Sequence, residues 1–151
     1  MQRMQLDPVV QKVASPLQPR YERMNLPEDI TNLGGDELAE LFTKLTGWAD
    51  FFASKLVEAQ LDERACQLEL DRENARMLVT RMGAATKGDK VTLIKAEISL
   101  DPKVIELEDR VESAYAFRKT YEMILSNHER DIMLVSREIT RRTSEQRRGG
   151  I

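Results

Sequence analysis

Cysteine, histidine, aromatic residues and uninterrupted apolar sequence are all scarce in this 151-residue chain. Cys66 is the only cysteine, which excludes an internal disulfide and a thiolate metal cluster and fits a reducing compartment. His128 is the only histidine and has no Glu-x-x-His pair around it, so a di-iron bundle is excluded; it reads as a packed or interface histidine, and Cys66 as a small core residue. No apolar run approaches the ~20 residues that span a bilayer. The opening "MQRMQLDPVV" is too polar for a signal peptide, so a soluble, cytoplasmic protein is expected, with no membrane partner. A net charge of -3, from 26 acids against 23 bases, means that any nucleic-acid surface must be local.

One stretch resembles a phosphate-binding loop. In "RMGAATKGDKVT", Gly83 and Gly88 have the spacing of a Walker A loop, but Asp89 stands where the lysine belongs and Val91 offers no hydroxyl to a magnesium ion. Such a loop also needs a buried strand before it, and a long charged helix precedes this one.

What the chain does have is charge and helical periodicity: 32% of residues are charged and only 5% aromatic, a balance suited to long amphipathic helices. Residues 1–35 read as an arm, broken by Pro8, Pro16, Pro19 and Pro27 and closed by Gly34 and Gly35; it is either a tail or a docking segment bearing Met4, Leu6, Val9, Val10 and Val13. Residues 36–143 read as a helical hairpin and 144–151 as a basic, flexible tail, with the second helix fraying near Thr143.

Two apolar seams define the hairpin. Leu38, Phe42, Leu45, Ala49, Phe52, Leu56, Ala59, Glu63, Cys66, Leu70, Glu73 and Met77 step by three and four, which is coiled-coil spacing, in a helix expected from Asp36 to about Gly83. After the capping pair Asp101-Pro102, a second seam runs Val104, Leu107, Val111, Ala114, Arg118, Tyr121, Leu125, His128, Ile132, Val135 and Ile139. The intervening 87–100 segment reads as a short helix or the first turns of the second one, with a brief strand as the lesser alternative. The fold class is therefore all-α, a long antiparallel helical hairpin with an extended N-terminal arm. Glu63 and Arg118 interrupt their seams and are expected to pair, which sets Leu70 opposite Val111 and Met77 opposite Val104. The broad apolar face around Leu41, Trp48 and Phe51 exceeds what one partner helix covers, so it is expected to be the interface of a helical homo-oligomer.

The carboxylates, such as Asp62, Glu69 and Asp71, alternate with arginines as solvated helix faces do, and a thin hairpin supplies no dry pocket, so neither an enzyme nor a cofactor is expected. Basic residues gather in two places. Arg72, Arg76, Arg81, Lys87 and Lys90 lie before and within the bend, and Arg137, Arg141, Arg142, Arg147 and Arg148 lie near the end. Either group can hold phosphates or be a solvated helix face.

Over residues 48–142 the layout resembles a known family. An early tryptophan, Trp48, basic residues leading into a glycine-containing bend, then "KVTLIKAEISLDPKV", "AYAFRKTYEMIL" and "VSREITRR" resemble the small phage recombination mediators of the UvsY type. The resemblance implies a ring-like oligomer in the cytoplasm of a bacterial host, which binds single-stranded DNA and helps a RecA-like recombinase displace single-strand-binding protein. It places DNA contacts loosely at Arg72, Arg76 and Arg81, while the proline-containing arm and arginine-rich tail depart from the family's pattern. The rival reading is a non-enzymatic structural or adaptor protein, such as a phage virion or assembly component.

Overall fold

The computed structural model describes residues 26–86, 88 and 90–149. All regular structure among them is helical: α1 spans Gly35–Ala84, α2 Val91–Ser99 and α3 Pro102–Arg148, preceded by a single 3-10 turn at Ile30–Asn32. The two long helices pack against each other. No described helix is long and apolar enough to cross a membrane.

The helix ends follow from local chemistry. The Leu38 amide donates to the Gly34 carbonyl at 3.0 Å as the first bond of α1, and the Glu37 carboxylate reaches back to the Gly34 N–H at 2.8 Å, so one donor left over at the helix start is satisfied. Asp36 and Glu37 also sit favourably in the first turn. At the bend Gly88 takes a φ of +119°, a conformation that side chains disfavour. Asp101 caps α3 as expected, its Oδ1 accepting from the Lys103 N–H at 2.9 Å with Pro102 in the first helical position. The 87–100 segment resolves as the short helix α2, which buries Ile94 and Ile98.

The chain forms two compact units. The larger, Leu45–Arg130, contains most of the two seams. Leu45, Ala49, Phe52, Ala59, Leu70, Val104, Leu107, Tyr121 and His128 are buried in it, and every other seam position it contains is half-buried. Glu63 and Arg118 do face each other, in a short ion pair that also takes in Glu122. The packing agrees with the register they imply: Leu70, Ile94, Ile98, Val104 and Leu107 form one cluster, with Met77 and Val111 against it, and Arg110 meets Glu69 at 3.0 Å. An aromatic group fills the other part of this unit, where Phe52 lies 6.2 Å from Tyr121 and 5.3 Å from the His128 ring. His128 Nδ1 is 2.8 Å from the Ile124 carbonyl, which can only accept, so Nδ1 carries the proton.

The second unit joins the chain up to Lys44 with the chain from Asp131 onward, and buries Leu38, Val135 and Glu138. Here the structure corrects the expected fraying at Thr143, because α3 continues through residues 144–148. Arg141 bridges Glu138 and Glu145 across successive turns, and such i,i+3 and i,i+4 pairs stabilise a helix end that composition alone reads as a tail. Of the expected N-terminal arm, residues 1–25 lie outside the described residues.

Burial predicts a sharp contrast between two leucines of the larger unit. Leu107, 2% exposed, should cost about 2–5 kcal/mol on replacement by alanine. Leu100, 75% exposed, should cost less than about 0.5 kcal/mol. Urea unfolding followed by circular dichroism measures both.

Candidate nucleic-acid interface

The basic residues before the bend do not form one stripe. Arg72 and Arg76 are one turn apart and exposed, whereas Arg81 follows Arg76 by five residues, about 140° further round the helix. Arg76 donates from Nε to Glu73 at 3.0 Å, and this hydrogen bonding holds the Glu73 carboxyl below its ordinary range. Arg81 turns instead to Glu97 at 3.2 Å and Asp101 at 3.7 Å. Arg76 and Arg81 do share a shallow hollow of about 200 Å³ with Met77, Thr80 and Asp101. Its two guanidinium groups are met by three carboxylates, Glu73, Glu97 and Asp101, so it carries no surplus positive charge to attract phosphate. Arg72 has no ion pair among the described residues, Lys90 is exposed at the start of α2, and Lys87 lies outside the described residues.

The basic cluster near the end of α3 divides into two sets. One set is committed to the fold. Glu138 is 6% exposed and accepts from Arg141 Nη2 at 2.7 Å and from Arg142 Nε at 2.7 Å. Arg142 then donates through Nη1 to the Leu33 carbonyl at 2.8 Å and through Nη2 to the Thr31 carbonyl at 3.0 Å. Hydrogen bonds from Arg141, then Arg142, pull the Glu138 carboxyl from 4.5 to about 2. The result is a clasp that ties the 3-10 turn before α1 to α3. Sequence reading treated Arg141 and Arg142 as surface charges, because only the fold brings the carbonyls of residues 31 and 33 within their reach.

The other set is outward. Arg137, Ser144 and Arg148 recur at helical spacing and share one exposed face of α3. Arg137 and Arg148 have no ion pair among the described residues, and Arg147 lies exposed to one side of them. Met133 and Leu134, 54% and 42% exposed, begin the same face. No family model, curated protein or solved structure matches this chain. Among the described residues no three histidines, cysteines or carboxylates are grouped to hold a metal ion.

The expected oligomer residues are half-buried in their own chain. Trp48 packs edge-on to Phe51 at 5.7 Å and stacks on Phe52 at 5.8 Å, while Leu41 belongs to the smaller unit. The large apolar side chains that α1 exposes most lie elsewhere, at Val57, Leu61 and Val79. Their own three- and four-residue steps were the available signal, overshadowed by the stronger seam.

The clasp should be acid-sensitive. A carboxyl depressed from 4.5 to about 2 stabilises the fold fully above 4.5, and that contribution fades as pH falls towards about 2. Hydrogen exchange at residues 30–33, corrected for intrinsic rate, should therefore accelerate across that window in the wild type and lose this pH dependence in Glu138→Gln. At neutral pH Arg142→Ala should speed the same amides roughly tenfold, as expected when a charge-assisted bond worth about 1.5 kcal/mol is lost.

Proposed function

We propose that the protein binds single-stranded DNA by charge and acts without catalysis as a recombination mediator, helping a RecA-like recombinase onto strands held by single-strand-binding protein. The observation that carries this reading is the outward face of α3 that bears Arg137 and Arg148, neither of which is in an ion pair among the described residues. Two free guanidinium groups about three turns, roughly 16 Å, apart on one helix can hold phosphates of the same strand, and rigid helical presentation fixes their separation. The layout resemblance over residues 48–142 supplies the biological setting. Within it the DNA path moves away from Arg76 and Arg81, whose charge is locally neutralised, to the end of α3. Among the described residues Tyr115 is the one exposed large aromatic side chain for base stacking, so binding should be insensitive to base sequence.

A second reading has its own observation. Met133 and Leu134 put an apolar lead on the same basic face, a combination suited to an amphipathic acidic partner helix. In that case the protein is a structural or adaptor component, and DNA is not its ligand.

Titration of a fluorescent single strand at several salt concentrations separates the two. Each lost phosphate contact should reduce the slope of log affinity against log salt by roughly 0.7, so Arg137→Ala with Arg148→Ala should lower it by about 1.4. Arg76→Ala with Arg81→Ala should change it little. Wild-type protein that fails to bind DNA would transfer the function to the adaptor reading.

A further inference from the structure

α1 carries a second seam on the side away from its partner helix. Leu61, Leu68, Ala75 and Met82 recur every seven residues, and Val57 and Val79 extend the row. All are exposed, the five large ones between 43% and 73%. The row is offset by two residues from buried Leu70 and half-buried Glu63 and Met77, which turns it about 200° around the helix. Every one of these residues belongs to the Leu45–Arg130 unit.

Two seam positions in the row are charged. Arg64 falls between Leu61 and Leu68, Asp71 between Leu68 and Ala75. Both are exposed, and neither has an ion pair among the described residues; Asp71 accepts only from the Gln67 amide, at 2.9 Å. The charges are opposite in sign and flank Leu68 almost symmetrically. From this arrangement we infer that α1 pairs with α1 of a second copy of the chain, antiparallel, about a two-fold axis at Leu68.

In that register Leu68 packs on the partner's Leu68, Leu61 on the partner's Ala75 and Val57 on the partner's Val79. Arg64 meets the partner's Asp71, and the symmetry makes the same pair twice. A parallel, in-register pair would set arginine against arginine and aspartate against aspartate, so the charges select orientation as they do in coiled coils. The antiparallel arrangement also opposes the two helix dipoles favourably. A groove of about 330 Å³ walled by Ala75, Leu78, Ile98 and Val104 borders the row, and the partner's Leu61 comes over its edge at Ala75. The device repeats the one that sets the internal register, where Glu63 and Arg118 meet inside an apolar seam. This contact does not depend on DNA, and it uses a different face from the half-buried Trp48 and Phe51.

Particle mass across a concentration series tests it in the full chain. Wild type should be dimeric or a multiple of two at micromolar concentration. Arg64→Asp alone should raise the dissociation constant roughly tenfold by setting two aspartates together, and adding Asp71→Arg should restore it. With Cys66→Ser as background, Leu68→Cys should be joined to its partner by a short bis-maleimide, whereas Leu61→Cys should not, since the partner's Leu61 is about 21 Å away along the helix. A monomeric wild type, equal masses for the single and wild-type chains, failure of the double exchange, or equal crosslinking at both cysteines would each overturn the inference. Loss of DNA binding with this mass series intact would overturn only the proposed function.

Discussion

The ion pair between Glu63 and Arg118, set into otherwise apolar seams, is the constraint on which the larger unit depends. Seams built from three- and four-residue steps are nearly indifferent to a slide of one heptad, because apolar side chains meet apolar side chains either way. The charges are not indifferent. A slide of seven residues would place Glu63 against Val111 or Leu125 and leave Arg118 without its carboxylate. An unpaired, half-buried charge costs far more than the pair contributes, so the pair acts by excluding the wrong registers. With this register in place, Arg110 reaches Glu69, and α2 closes over Leu70 and Leu107 with Ile94 and Ile98.

Charge has three distinct uses on these helices, distinguished by environment. Buried Glu138 holds Arg141 and Arg142 so that Arg142 can satisfy carbonyl groups before α1. Around the bend, Glu73, Glu97 and Asp101 offset Arg76 and Arg81, and positive charge there has no outward reach. Arg137 and Arg148 remain for solvent or for a ligand. A count of arginines along the chain assigns all of these the same meaning. Their partners separate them, because a guanidinium already bonded to a carboxylate must give up that bond before it can hold a phosphate.

Much of the architecture was legible in the chain itself. Helical periodicity, the Asp101-Pro102 start and the Gly-rich entrance to α1 depend on neighbours within one or two turns, and those neighbours are present in the sequence. Glu63 and Arg118 disclosed the register, since the alignment that pairs them also uses both seams almost fully. Less was legible at the candidate site. Arg76 and Arg81 look alike in sequence, but five residues of helix turn them apart, and their acidic partners come from different elements.

The sequence by itself determined that this protein is built of long amphipathic helices and which stripe of each is buried, because both properties repeat with the 3.6-residue turn. Tertiary structure decided which arginines were consumed and which faced outward. Arg142 finds its acceptors more than a hundred residues away, at the Leu33 and Thr31 carbonyls, and Arg81 finds Glu97 on the following helix. Backbone carbonyls have no signature in a sequence, and ion pairing falls off within a few ångströms, so the availability of a charge is a property of the folded chain.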